Sequence, residues 1–285
     1  MTSSNSVQPG VYMRYEPFGK KVPVVVDVSR SGREYPHDFR SPIPFSTLHD
    51  NVSMYVEELC AAAPELGATM LYACFPNTYI DTNRSAADID ERLIDGAWPG
   101  PIEQSDFTSR GLGLIKRLSR YGEEMQDRKL TVDEVKYRLD TYHEPYHAEL
   151  ARIIGEFQKS SGRAFQISCH CMSAVGAPTH ADPGKERADF NLGDVHGKTC
   201  SKKFLTFLVK VLEDRGHSVS LNFPYYGGYL TKRHSDPASG IESIFIEINK
   251  RMFIDTKTFK RTEGFAAVRA TMNHLITQIC LYAGA

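Results

Sequence analysis

No stretch of this chain approaches the roughly 18 consecutive apolar residues of a membrane-spanning helix, so no bilayer location is expected. No Cys-x-x-Cys pair occurs among the cysteines at 60, 74, 169, 171, 200 and 280, so the signature of a zinc knuckle or a dithiol redox centre is missing. Most of them lie in apolar runs, as reduced buried thiols do, and a reducing cytoplasm suits them. Neither charge is in surplus. The 34 Lys and Arg against 35 Asp and Glu give nothing to steer the chain toward nucleic acid or an anionic membrane. Lys202-Lys203 reads as a solvated helix face. Polar Met1–Gly10 lacks an apolar signal core. Repeats, low-complexity blocks and a dividing linker are also missing. The expectation is a loose tail over residues 1–20 and one domain over residues 21–285.

What is present reads as alternating strands and helices. Val22–Val28 is a β-branched run and a buried strand; Ala68–Phe75, Phe165–Cys169, Ser218–Leu221 and Ser243–Ile248 are further strands. Leu48–Leu66 carries Val52, Val56 and Leu59 on one helical face. Thr131-Val-Asp-Glu134 is a capping box; the helix it opens is expected to break at Pro145 and resume with Tyr146, Leu150, Ile153, Ile154 and Phe157. Ser201–Arg215 and Gly264–Leu281 are amphipathic helices. The alternation implies a largely parallel sheet covered on both faces. Ligands of such sheets bind beyond the carboxyl ends of the strands, where the loops opening at Ser29, Pro76, His170, Asn222 and Asn249 could converge.

Those loops hold the residues fit for chemistry. Asp81, Asn83 and Arg84 lie in YIDTNR, and His170 in SCHCMS. Asp189, Asn191 and Asp194 lie in DFNLGDVHGKTC, and Asn222, Tyr225 and Gly228 in the run from 222 to 228. Glu247 sits in the apolar run SIFIEIN, where a carboxylate is costly unless paired or functional. Each has a plain reading too: His170 as a hydrogen-bonded structural histidine, Glu247 as a partner of Arg84 or Lys250, Asp81 and Arg84 as a turn-closing ion pair, Gly227-Gly228 as a turn.

The ordered series SRSGREYP, FPNTYIDTNR, GLGLIKR, PYHAEL, SCHCMS, DFNLGDVHGKTC, NFPYYGG and IEINKRMFID, over residues 29 to 255, resembles the N-formylglutamate amidohydrolase family. The stretch DERLIDGAWPGP resembles one branch of it. The resemblance implies a three-layer αβα sandwich with a mostly parallel mixed sheet, like that of zinc exopeptidases. It implies hydrolysis of N-formyl-L-glutamate to formate and glutamate, so the expected partner is a small N-acyl amino acid or other carboxylate. It implies one zinc ion held by a first-loop histidine, an acidic residue of the next helix and His170, with Glu247 as general base. Zinc lowers the pKa of bound water to about 7 and so supplies hydroxide at neutral pH. Arg30, Asn83, Arg84, Asn222, Tyr225 and Gly228 are the expected substrate contacts.

The sequence departs from that pattern at the metal. Arg30 stands where the family has the first histidine, Ser53 where it has the acidic ligand, and Asn77 where it has an arginine. Cys171 replaces a serine, but a thiol next to His170 along a strand faces the opposite way. A guanidinium stays protonated and has no lone pair for a metal. Asp50 or His37 could restore a ligand. Zinc with a neutral histidine and an aspartate carries one net positive charge, and an arginine with a serine carries the same, so Arg30 is expected to preserve an anion-attracting pocket. Three functions are open: an amidohydrolase with altered metal binding, a protein that binds a carboxylate without efficient hydrolysis, and a metal-free hydrolase or transferase of shifted substrate.

Overall fold

A computed structural model describes residues 5–284. Its strands are Ser6–Gln8 (β1), Tyr12–Tyr15 (β2), Val24–Val28 (β3), Thr69–Ala73 (β4), Ile94–Asp95 (β5), Leu130–Thr131 (β6), Ala164–Met172 (β7), Phe190–Gly193 (β8), Val219–Leu221 (β9) and Ile241–Asn249 (β10). Its α-helices are Phe45–Asp50 (α1), Val56–Leu59 (α2), Asp106–Ser109 (α3), Val132–Arg138 (α4), Glu144–Ser161 (α5), Lys202–Glu213 (α6), Tyr229–His234 (α7) and Phe265–Gly284 (α8). Eight strands form one sheet in the order β1-β2-β4-β3-β7-β10-β8-β9, while β5 and β6 pair separately. The four central strands β4, β3, β7 and β10 run parallel. At one side β2 and β1 are antiparallel additions; at the other β8 is antiparallel to β10 and parallel to β9.

Side-chain alternation divides the central strands between two cores. Val24, Val26 and Val28 of β3, with Ile167 and Cys169 of β7, pack under α2, α6 and α8. Val25 of β3 and Leu71 of β4 face the other way, under the Tyr146, Leu150, Ile153 and Phe157 stripe of α5. This is a mixed, mostly parallel α/β sheet with helices on both faces, as expected. All of β3 and β7 is buried, as strands covered on both faces require. Among the described residues no helix is long and apolar enough to cross a membrane.

Several local expectations are corrected. The first twenty residues are not a loose tail where they are described: β1 and β2 extend the sheet, and Arg14 pairs with Glu16 at 3.0 Å and with Glu149 of α5. Residues 1–4 lie outside the described residues. Leu48–Leu66 is not one helix. The chain leaves α1 at Asn51, passes Tyr55 in the left-handed region (φ 66°) and forms only one turn of α2. The break lets the Ser53 N–H donate to the Arg30 carbonyl at 2.9 Å, a tertiary bond that a helix would forbid. Pro145 does not break its helix. Five residues of π-helical winding, Leu139–His143, join α4 to α5, so Pro145 falls in the first turn of α5, where its missing N–H costs little. Phe190–Gly193, read as loop, is a buried strand. The Thr131–Glu134 capping box is formed.

Candidate functional site

The parallel strands β3, β4, β7 and β10 deliver their following loops to one edge of the sheet, where a cavity of about 150 Å³ opens. Arg30, Ser53, Arg84, Cys171, Tyr225 and Glu247 line it, together with Arg110, Lys116, Arg120 and His180. Gly32 permits the first loop to lie this close: a Cβ there would collide with the backbone of Cys74 and Phe75 at the end of β4.

Arg30 is the central cation. Its Nη2 pairs with Asp81 at 3.1 Å, and the side-chain oxygen of Asn77, turned to suit its neighbours, accepts from Arg30 and from Lys116. Burial alone would raise the Asp81 carboxyl, but Arg30, Arg84 and Lys116 hold it below the usual carboxylate range. Lys116 is pushed well down, by burial first and then by the Arg30 charge. Arg84 donates to the Leu112 and Asn83 carbonyls at 3.1 and 2.8 Å and stacks over Phe107 at 3.7 Å. Arg120 pairs with Asp50 at 3.5 Å; buried Lys250 holds the same carboxylate at 3.3 Å.

Glu247 and His170 are register partners on β10 and β7. Burial pushes Glu247 up to about 7 against the opposing pull of Arg30, Arg187 and Lys250. Its Oε2 has no hydrogen-bond partner, and it makes no ion pair with Arg84 or Lys250 among the described residues. Beneath it, the Ser168 hydroxyl donates to buried Asp27 at 3.0 Å and stands 3.0 Å from His170 Nε2. With the hydroxyl proton used on Asp27, His170 must donate from Nε2, leaving the Nδ1 lone pair without a partner. Burial and then Arg30 push His170 well below its ordinary value, so the ring is neutral.

The remaining candidates separate. Asn83 and Gly228 line a second hollow of about 140 Å³, not the first. The Asn83 amide oxygen accepts from Leu230 N at 3.1 Å at the start of α7, and it packs so tightly on Gly228 that no Cβ fits there. Asn222 lines neither hollow; it bonds Asp194 through both its amide nitrogen and its amide oxygen. Asp189 pairs with Arg251, and Asn191 donates to the Ser220 and Phe223 carbonyls. Cys171 lines the cavity with burial pushing its thiol up to about 11, which leaves it a poor nucleophile. His37 is exposed and lines neither hollow.

The basic wall was missed. Arg110, Lys116 and Arg120 lie within SRGLGLIKRLSR, a local excess of positive charge hidden by a balanced total. A buried pair, Arg187 and Asp182 at 2.6 Å, backs it beside His180 and Tyr225. Two further buried histidines clamp the Asp81–Arg84 loop: His147 Nε2 reaches the Thr82 carbonyl and His143 Nε2 the Arg84 carbonyl, both at 2.9 Å.

These residues do not fit a three-ligand zinc site. No three His, Cys, Asp or Glu side chains stand together to hold a metal among the described residues. Arg30 is spent on Asp81, the Ser53 hydroxyl accepts from Cys171 N at 3.3 Å, and Asp50 is taken by Lys250, Arg120 and the Tyr121 hydroxyl. The Arg30 guanidinium is cationic and has no lone pair to give a metal.

Known proteins show the same framework. The chain is 29% identical over 234 residues, 81% of each chain, to N-formylglutamate deformylase of Pseudomonas putida. To the deformylase of Pseudomonas aeruginosa it is 25% identical over 228 residues, 79% of this chain and 80% of that one. The crystal structure of an N-formylglutamate amidohydrolase from Ralstonia eutropha JMP134 superposes with a TM-score of 0.89 at 32% identity, covering 96% of this chain and 98% of that one. The gene product Atu2144 of Agrobacterium tumefaciens shares the fold at a TM-score of 0.65 and 16% identity over 92% of both chains. The family model for N-formylglutamate amidohydrolase matches residues 22–254, the span that holds every cavity-lining side chain named above, and the chain belongs to that family.

Proposed function

We propose that this chain binds and hydrolyses an N-acyl derivative of an acidic amino acid, N-formyl-L-glutamate being the simplest, without a resident zinc ion. The observation that carries this reading is Glu247: a buried carboxyl with an orphaned oxygen, lining a cavity whose other charged walls are almost all cationic. Arg84, Arg120 and Lys116 suit the ligand's carboxylates, and the planar fork of arginine suits them best. Glu247 would take a proton from a water whose oxygen attacks the acyl carbon. The C–N bond then breaks, and the proton passes to the departing amine. Arg30 would face the developing oxyanion with a fixed positive charge.

The test is formate release from N-formyl-L-glutamate by chelator-stripped protein. The expected result is turnover by the parent protein and none by Glu247→Gln, which still binds the substrate. Turnover that appears only when zinc is restored would overturn the reading. Ligand capture with little hydrolysis is a second reading. One observation favours it: Arg30 is already engaged by Asp81 and Asn77, leaving it less to offer an oxyanion. Binding by both proteins with no formate from either would decide for capture.

A further inference from the structure

His180 lines the cavity and has no part in the hydrolytic steps. Its Nδ1 faces two groups that can only donate, Arg187 Nη2 at 2.9 Å and the Ala177 N–H at 3.1 Å. Nδ1 must therefore accept from both, and the ring proton sits on Nε2. A second proton, on Nδ1, would point at a guanidinium. Arg187 is not free to turn away. Asp182 accepts from its Nε at 2.8 Å and its Nη2 at 2.6 Å, and the Ser173 hydroxyl accepts from its Nη1 at 3.0 Å. Asp182 and Arg187 are both buried, so the wall of the cavity itself fixes the tautomer. Burial, then the charges of Arg120 and Arg187, push the ring down to about 3, in keeping with a neutral donor.

The Nε2 of His180 bonds no protein group among the described residues and is not enclosed, so its N–H is the polar edge that the ring brings to the cavity. The ring's surroundings indicate which ligand atom it meets. The charges that act on it most are those of Arg120, Arg187, Arg110 and Lys116. Arg30, whose charge acts first on Glu247, is not among them. His180 thus stands on the cationic side of the cavity, where carboxylates are drawn, rather than beside the base and the reacting acyl carbon.

We propose that His180 is a specificity-determining residue of this site, donating its Nε2 N–H to a carboxylate of the ligand beside Arg120. This rests on the reading of the site as one for N-acyl acidic amino acids and adds a recognition group to it. A cation attracts an anion from many directions, whereas a fixed N–H demands an acceptor at one place. A ligand without that carboxylate leaves the N–H unpaired in the wall, which is what makes such a donor selective.

Binding is measured by calorimetry on Glu247→Gln, so that no probe is consumed, with and without His180→Asn added. The asparagine oxygen can still accept from Arg187, but the side chain is too short to carry a donor to the Nε2 position. The probes are N-formyl-L-glutamate, N-formyl-L-norvaline, which lacks the side-chain carboxylate, and N-formyl-γ-aminobutyrate, which lacks the α-carboxylate. His180→Asn is expected to weaken N-formyl-L-glutamate about tenfold, to weaken one single-carboxylate probe by the same factor and to leave the other unchanged. Equal weakening of all three would put the donor on the acyl oxygen they share and would overturn the assignment. Weakening of none would remove His180 from recognition. If urea unfolding shows that the asparagine variant is not folded, the ring of Glu247→Gln decides. Histidine-selective ¹⁵N NMR is expected to find the His180 proton on Nε2 between about pH 5 and 8, with that N–H signal shifted by N-formyl-L-glutamate. A cationic ring, a proton on Nδ1 or an N–H signal unmoved by the ligand would overturn the proposal while leaving the function above standing. Failure of Glu247→Gln itself to bind N-formyl-L-glutamate would remove both.

Discussion

Replacing Glu247 by glutamine keeps the side chain's shape and removes its charge. Burial holds this carboxyl neutral up to about pH 7 in the folded protein, against an ordinary value of 4.5 once the chain unfolds. Below pH 4.5 both states carry the proton and the group imposes no penalty. Between 4.5 and 7 the unfolded chain gives up its proton and the folded one keeps it, so stability falls as pH rises. Above 7 both are ionised and the loss is complete. Each pH unit between the two values is worth about 1.4 kcal/mol, so the full penalty is about 3 kcal/mol. Glu247→Gln should therefore gain stability over the parent as pH climbs, by up to about 3 kcal/mol at pH 8 relative to pH 4.5, while its catalysis is lost. Urea unfolding of both proteins at half-unit steps from pH 4.5 to 8 measures the difference directly. A difference that stays flat, or narrows with rising pH, would refute the placement of an uncompensated carboxyl in this cavity.

If Glu247 is the base, it must be ionised to work, so kcat/KM for N-formyl-L-glutamate should rise with pH through about 7 and level off above it; a profile already flat from pH 5 would rule that role out. Asp50→Asn leaves Lys250 buried with no carboxylate, and should cost about 3–5 kcal/mol in urea unfolding at pH 7. A cost under about 1 kcal/mol would show that the pair is not what holds Lys250. His147→Gln can restore the donor to the Thr82 carbonyl, whereas His147→Phe cannot. The phenylalanine variant should weaken N-formyl-L-glutamate binding about tenfold through misplacement of Arg84, with the glutamine variant near the parent; equal binding by both would remove the clamp from the account.

Much of the framework could be read from the sequence because single-element physics sets it. The β-branched run that ends at Val28 is buried on both faces, and it forms a strand whatever its neighbours do. Thr131 and Glu134 satisfy each other's backbone across one turn. The failures are tertiary. The run from Leu48 has helical spacing, yet a bond from Ser53 to the Arg30 carbonyl outweighs local propensity. Pro145 is harmless only because a π-helical turn precedes it. Within the site, Arg30, Arg84, Tyr225 and Glu247 come together from four separate loops and strands, whereas Asn83 and Asn222 hold neighbouring backbone. The cations at 110, 116 and 120 escaped notice because no one of them is unusual; only the folded chain shows that they face one space.

The proposed function rests on the fixed guanidinium of Arg30 supplying, within a cationic cavity, the positive charge a metal ion would otherwise bring. Calorimetric titration of N-formyl-L-glutamate into chelator-stripped protein tests it most directly. One-to-one binding is predicted, with an affinity unchanged by added zinc. Binding that is absent after stripping and returns with one equivalent of zinc would contradict it.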